Sequence, residues 1–199
     1  LSLNISITNT TCNGICDGSA IASAVGGTAP YNYQFSSIPS TVVATATNLC
    51  AGTYVVTVTD ANGCSVINSF VIGQPAPIQV LAPTVSDVSC FGGSDGSISL
   101  FVIGGVGPYS YTWSNSSTSN PATNLVAGLY TCLIVDANGC AFSSGSIPVT
   151  QPSSPLTATS FVTNNVVCNG GSDGIATVTA TGGAVPYSYQ WSNSSASNL

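Results

Sequence analysis

Leu1, Leu3, Ile5 and Ile7 alternate with Ser2, Asn4, Ser6 and Thr8, a period of two that predicts a strand with one buried face. Ile21 to Val25 predicts a second short strand, closed by Gly26-Gly27. From Pro30 onward, Tyr31, Tyr33 and Phe35 fall on one face of a third, and Thr41 to Thr47, rich in Val and Thr, predicts a fourth. Thr53 to Thr59 places Tyr54, Val56 and Val58 on one side. Asp60-Ala-Asn62-Gly63 then reads as a hairpin, because Asn-Gly accepts the positive φ of tight turns, and Cys64 to Ile72 returns as the closing strand. No segment shows helical periodicity, and no apolar run approaches the ~18 residues of a membrane span.

The pattern then repeats. Cys12, Cys90 and Cys168 lie 78 residues apart, as do Gly27, Gly105 and Gly183, and Tyr33, Tyr111 and Tyr189. A fixed period decides the architecture before any local reading does. Six or seven short strands per period, with turns between them, predict an all-β chain of tandem immunoglobulin-like antiparallel β-sandwich repeats. The expected boundaries are 1–75 for repeat 1, 76–153 for repeat 2 and 154–199 for a partial repeat 3. Gln74-Pro75-Ala-Pro77 and Gln151-Pro152 to Pro155 form the junctions. Leu1 opens directly on a strand pattern without a signal peptide, and Leu199 falls before the closing strands of repeat 3. The expectation is therefore of a natural start elsewhere, and of a third repeat completed by the same chain or by another molecule.

Composition narrows the chemistry. Among 199 residues there is no Lys, Arg, His or Met, and all six acidic residues are aspartates. Charged residues make up 3% of the chain, against about 25% in an ordinary soluble domain. Nucleic-acid binding lacks its phosphate-neutralising cations. A Ser or Cys nucleophile lacks its usual base. The chain is read as a non-enzyme. Sheet edges have no lysine to protect them, which points to covered edges and lateral self-association. Trypsin finds no cleavage site.

Eight cysteines without paired zinc spacing predict disulfides in an oxidising, extracellular setting. Cys12 and Cys64 recur as Cys90 and Cys140, so the expected bonds are Cys12–Cys64 and Cys90–Cys140, each tying the first strand to the last. Cys16 and Cys50 have no counterparts in repeat 2 and are paired with each other. Cys132 aligns with inward-facing Val56 and is read as a buried free thiol, an intermolecular bond being the alternative.

The aspartates recur once per turn. Asp17, Asp60, Asp95 and Asp136 are read as turn acceptors for backbone N–H groups, with a calcium site built from the same carboxylates as the alternative; no other cofactor is expected. The aromatic rows Tyr33 and Phe35, Tyr111 and Trp113, and Tyr189 and Trp191 are read as core, with glycan stacking as the alternative.

Cys-Asn-Gly, Asp-Gly-Ser, Gly-Gly, Pro-Tyr-x-Tyr-x-Trp, Asn-Leu-x-Ala-Gly-x-Tyr and Asp-Ala-Asn-Gly-Cys follow one another in that order along essentially the whole chain. This set resembles the SprB repeats of Bacteroidetes surface proteins, with Phe35 in place of Trp and with Cys16 and Cys50 added. The resemblance implies an immunoglobulin-like fold, export by the type IX secretion route, and a place in very large cell-surface adhesins of gliding bacteria. The expected function is that of a structural repeat segment in an extracellular surface fibre or adhesin, with partners in neighbouring repeats, self-association or surface glycans. An array of carbohydrate-binding modules is the alternative.

Overall fold

The computed structural model describes residues 1–36, 43–193 and 196. Among these residues every element is a strand. The first six are β1 (Ser2–Thr8), β2 (Gly18–Val25), β3 (Asn32–Phe35), β4 (Thr45–Leu49), β5 (Gly52–Thr59) and β6 (Ser65–Ile72). The start of the strand expected from Thr41 lies outside the described residues, and its described part begins at Thr45.

The chain divides into two compact units that interleave in sequence. The first holds residues 1–81, 102–110 and 133–143; the second holds 82–101, 111–132 and 144–199. In the first, two antiparallel three-stranded sheets form, ordered β1-β2-β4 and β3-β5-β6. Lettered by position, these are A-B-E and C-F-G, the division of strands found in immunoglobulin-like sandwiches. The core draws on both sheets: Ala20, Ala22, Ala46 and Leu49 from one, and Phe35, Val56, Val58, Phe70 and Ile72 from the other. Leu3 and Ile5 pack against it from β1, following the period-two pattern. Phe70 stacks on Tyr54 and meets Phe35 edge-on. The Tyr54 hydroxyl donates to the Cys50 carbonyl at 2.9 Å, pinning the chain as it enters β5.

The remaining strands are β7 (Gln79–Val80), β8 (Thr84–Ser86), β9 (Gly96–Ser99), β10 (Val102–Ile103), β11 (Ser110–Trp113), β12 (Ala122–Leu125), β13 (Gly128–Tyr130), β14 (Cys132–Val135), β15 (Ala141–Ser143), β16 (Ile147–Val149), β17 (Thr157–Asn164) and β18 (Ile175–Thr181). In the first unit, β7 pairs with β10, and Leu133–Val135 of β14 pair with β15. In the second, β8, β9 and β12 form the counterpart of the A-B-E sheet, and β13 pairs with β16. Tyr130 repeats the Tyr54 bond, donating to the Val126 carbonyl at 2.9 Å.

The buried positions of the two full repeats match, with exchanged sizes. Ala20 and Ala22 become Ile98 and Leu100, while Phe70 becomes Ile147; Phe35 becomes Trp113, while Val56 becomes Cys132. Growth at one wall is offset by shrinkage at another, the kind of change a packed core tolerates best. Trp113 is 2% exposed and its indole N–H donates to the Ser119 carbonyl at 2.8 Å. Cys132 is a fully buried thiol, and burial raises its pKa.

The asparagine of Asn-Leu has a job that its sequence did not reveal. Asn48 and Asn124 hold positive φ, 56° and 58°, a region Asn tolerates better than most residues. Each lies at a register shift in its strand, between the partners of Gly18 and Ala20 and between Ala122 and Leu125. The bulge lets Gly18 or Gly96 approach the returning backbone. A Cβ on Gly18 would stand 2.8 Å from the Leu49 carbonyl oxygen, and one on Gly96 would stand 2.9 Å from that of Leu125. That contact, rather than a turn dihedral, explains the glycine of Asp-Gly.

In the third repeat β17 and β18 pair antiparallel. All eight residues of β17 are exposed, and Tyr189 and Trp191 are half-buried rather than core. Tyr33 and Tyr111 are also half-buried, whereas Phe35 and Trp113 are the enclosed rings.

The core comparison carries a test. Trp113→Ala should cost about 3–5 kcal/mol, the range for emptying a large aromatic site. Trp113→Phe, which installs the side chain already used at Phe35, should cost less, about 1–3 kcal/mol, for the lost bond to Ser119. Urea denaturation of both variants checks the order; equal losses would show that enclosure of the ring contributes nothing beyond its hydrogen bond.

Candidate functional site: two cysteine-bearing turns

Each full repeat carries two built turns, one after its first strand and one before its last. The first spans Thr11 to Asp17. Asp17 accepts from the Thr11 amide and hydroxyl, closing the loop on itself. Asp95 accepts from the Ser89 amide at 3.0 Å, and Asp173 accepts from the Val167 amide at 3.2 Å. The side-chain hydroxyl of Thr11, then its amide, holds the Asp17 carboxyl below its ordinary pKa; Ser89 does the same for Asp95. The loop also docks on the end of the closing strand. Gly14 N–H donates to Gln74 Oε1 at 2.9 Å, and Gly92 N–H to Gln151 Oε1 at 2.8 Å. These bonds explain the glutamine ahead of each junction proline.

The second turn is organised by a buried carboxylate. Asp60 is 7% exposed. Its Oδ1 accepts from the Asn62 and Cys64 amides, both at 2.9 Å, and its Oδ2 accepts from Thr28 N–H at 3.1 Å. Asp136 repeats the set with Asn138, Cys140 and Val106, all at 2.9 Å. The expected tight turn with positive φ at Asn-Gly is corrected here. Within the two Asp-Ala-Asn-Gly-Cys turns only Gly63 and Gly139 have positive φ, and five residues, Asp60 to Cys64, link the paired ends Thr59 and Ser65. The carboxylate takes up amides that a two-residue turn would have paired across the strands.

The Gly-Gly pair meets the same carboxylate. A Cβ on Gly27 would lie 2.7 Å from Asp60 Oδ2, and one on Gly105 would lie 2.8 Å from Asp136 Oδ2; both glycines also hold positive φ. Tyr31 and Tyr187 fix this bend by donating to the carbonyls of Gly26 and Gly182 at 2.9 and 2.6 Å, and Tyr109 donates to Gly104. The first tyrosine of Pro-Tyr-x-Tyr is therefore a turn lock.

The cysteine pairing differs from expectation. Cys12 bonds to Cys140, across 128 residues, so the expected Cys12–Cys64 and Cys90–Cys140 bonds do not form. The reason lies in strand direction. The Cys12 turn binds the C-terminal end of β6, through Thr10 N–H to the Gly73 carbonyl and Asn13 Nδ2 to the Pro75 carbonyl. Cys64 stands just before the first residue of the same strand. Eight residues of strand span about 25 Å, whereas a disulfide needs Cα atoms within about 7 Å. The two cysteines of one repeat sit at opposite poles. The junction after Gln74 leads instead toward the hairpin pole of repeat 2, where Gly105 N–H donates to the Ala76 carbonyl and Ile78 lies under Gly105. There Asn138 Nδ2 donates to the Thr11 carbonyl at 2.8 Å, with the Cys12–Cys140 Cα atoms 5.7 Å apart. Cys16 bonds to Cys50, bracing the first turn against the entry to β5. Cys64, Cys90 and Cys168 are exposed thiols.

A cavity of about 400 Å³ adjoins the bond, lined by Ile15, Pro75, Ile78 and Phe142 with Asp136 at one side. Its one carboxylate is already engaged by backbone donors. Among the described residues no three of His, Cys, Asp and Glu gather as metal ligands. The four aspartates considered for calcium act in their turns as acceptors of N–H bonds.

A family model described as the SprB repeat matches the chain at residues 4–39, 82–118 and 160–196, together more than half of its length. The three matches begin 78 residues apart, in step with the cysteine period. No curated protein matches the sequence.

With no His, Lys or Glu in the chain, the side chains that set the acid limb of its stability are the aspartates. The Cys64 amide, followed by those of Thr28 and Asn62, lowers the Asp60 carboxyl from 3.8. Burial works to raise the Asp136 carboxyl, and the amides of Val106, Cys140, Asn138 and Gly139 outweigh it. A depressed folded-state pKa gives stability that is present above the unfolded value and is lost as pH falls through the folded one. Urea midpoints should therefore stay level from pH 7 to 5 and fall below about pH 4. Asp60→Asn should lower the midpoint at pH 7 and converge on the parent chain near pH 2. A gap that stays constant across this range would show that the charge on Asp60 is not what the turn uses.

Proposed function

Because the chain belongs to the SprB repeat family, whose repeats occur in cell-surface proteins, we propose that it is a tension-bearing segment of an extracellular bacterial surface fibre or adhesin. The observation that carries this reading is the Cys12–Cys140 bond, which joins the first repeat to the second. In the chain-entropy account, closing a loop of this length stabilises by about 5 kcal/mol. Under a pull on the two termini it shields the chain between Cys12 and Cys140 and leaves the load on the strands outside that loop, β1 before it and β15 onward after it. The setting suits such a bond, since disulfides persist outside the reducing cytosol. A surface without Lys or Arg resists trypsin-like cleavage and offers little charge repulsion between neighbours, which favours lateral packing with other copies. The enclosed positions of Phe35 and Trp113 support a structural role over glycan stacking. The work is non-catalytic: spanning and display.

Single-molecule pulling from the two termini tests the mechanical part. Oxidised chains should withhold the 128-residue segment between Cys12 and Cys140, and reductant should release on the order of 430 Å of extra contour at about 3.4 Å per residue. Equal lengths with and without reductant would remove the bond from the load path. Gold-labelled antibody against the repeats, applied to intact cells of the native host, tests the location. Label along surface fibres is expected; label seen only after cell lysis would overturn the assignment.

A further inference from the structure

The two poles of a repeat are chemically complementary, and among the described residues one such pair is bonded. The turn cysteine of repeat 1, Cys12, is bonded to the hairpin cysteine of repeat 2, Cys140. Three copies of the same half-sites remain as exposed thiols: the hairpin cysteine Cys64 and the turn cysteines Cys90 and Cys168. They are built as the bonded pair is built. Around Cys64, Asp60 accepts from the Asn62 and Cys64 amides at the 2.9 Å that Asp136 shows to Asn138 and Cys140. Asp60 N–H donates to the Cys64 carbonyl at 3.0 Å, as Asp136 does to Cys140. Around Cys90, Asp95 clasps Ser89 and Gln151 holds Gly92, as Asp17 and Gln74 do beside Cys12. At the third turn Asp173 clasps Val167, and Gly171 N–H donates to the Cys168 carbonyl.

One group separates the occupied hairpin from the open one. Asn138 donates its side-chain amide to the Thr11 carbonyl of the bonded turn, whereas Asn62 turns back onto the Thr28 hydroxyl at 3.0 Å. Position 28 is Val106 in repeat 2, which has no hydroxyl to offer. The open hairpin thus keeps its asparagine donor folded inward beside an unbonded thiol.

The geometry points to Cys64 as the hairpin half of a further inter-repeat disulfide, whose partner is a turn cysteine, Cys90 or Cys168, in a second copy of this chain. The pairing is heterologous, turn pole to hairpin pole, and so extends head to tail rather than closing a symmetric dimer. The bond forms by thiol–disulfide exchange. A thiolate attacks a donor disulfide of low molecular weight, or of an oxidoreductase, giving a mixed disulfide. The second thiolate then displaces the donor thiol. The two protein thiols lose two protons and two electrons, and the donor disulfide leaves as two thiols. Asn62 then swings from Thr28 to the backbone carbonyl before the incoming turn cysteine, at Ser89 or Val167. The pairing chemistry stands or falls independently of the stalk reading, since it is read in solution.

The full chain, mixed as equal parts of ¹⁴N and ¹⁵N material, is incubated in a glutathione and glutathione-disulfide buffer and then alkylated. Linked peptides are mapped by mass spectrometry without reduction. The expected result is a ladder of disulfide-linked oligomers whose mixed-isotope links join Cys64 to Cys90 or to Cys168. Cys64→Ser should abolish the ladder, while Thr28→Val, which removes the inward partner of Asn62, should increase the yield of linked product several-fold. Both substitutions sit at the surface and leave the core untouched. A statistical mixture containing Cys64–Cys64 and Cys90–Cys90 links would overturn the inference. So would bonds confined to single-isotope monomers, or glutathione adducts without linked chains.

Discussion

Everything near the junction depends on a carboxylate held by backbone amides. Asp60 and Asp136 are buried, and the chain has no Lys, Arg or His side chain to pair with either. A buried charge is costly unless it is fully hydrogen-bonded, and each accepts three amides from two separate loops. That single requirement fixes several features at once. It opens the hairpin to five residues, draws the Gly-Gly bend against the carboxylate and excludes a side chain from Gly27 and Gly105. It also sets Cys64 and Cys140 at the tip, with their own amides in the network. The cysteine is held in place by the same atom that stabilises the turn.

The same economy recurs through the molecule. With 3% charged residues, ion pairs between side chains cannot organise the surface. Asn9 and Asp87 instead accept from Gly73 and Thr150 at the end of the closing strands, Gln74 and Gln151 cap the first turn, and tyrosine hydroxyls reach backbone carbonyls. Such bonds to the main chain are insensitive to ionic strength and specify one loop geometry each. They explain why so many polar motif positions recur when the buried positions exchange sizes freely.

Much of this was legible in the sequence, and the parts that were not share a cause. Alternation along Leu1 to Thr8 and in Tyr54, Val56 and Val58 placed strands and faces, because period two is a local property of the backbone. The 78-residue period agrees with the spacing at which the three family matches begin. The roles of Asn48 and Gly18 were hidden because each serves a partner far away in sequence. The cysteine pairing was misread for a sharper reason. Cys12 and Cys64 recur together, which suggested a bond within the repeat, but recurrence shows membership of the unit and not which pole a residue occupies. Only strand direction shows that, and β6 separates the two by its whole length. The Asn-Gly signal likewise marked a turn correctly but could not show that a carboxylate, rather than strand pairing, would claim its amides.

Bipolar cysteines also bear on why the bond joins repeats rather than bracing one. Each sandwich already closes around its own core, and in repeat 1 Cys16–Cys50 adds a local brace across 34 residues, worth about 4 kcal/mol in the chain-entropy account. A second internal staple would add stability where packing already supplies it. The junction is different. It is a short proline-containing segment, its contacts are hydrogen bonds to backbone such as Asn138 to Thr11, and no opposite charges exist to attract one pole to the other. Surface hydrogen bonds of this kind contribute about 1 kcal/mol each, too little to hold under sustained pull. A covalent bond is the one interaction open to this composition that resists such a pull. It therefore falls where the non-covalent contacts are weakest.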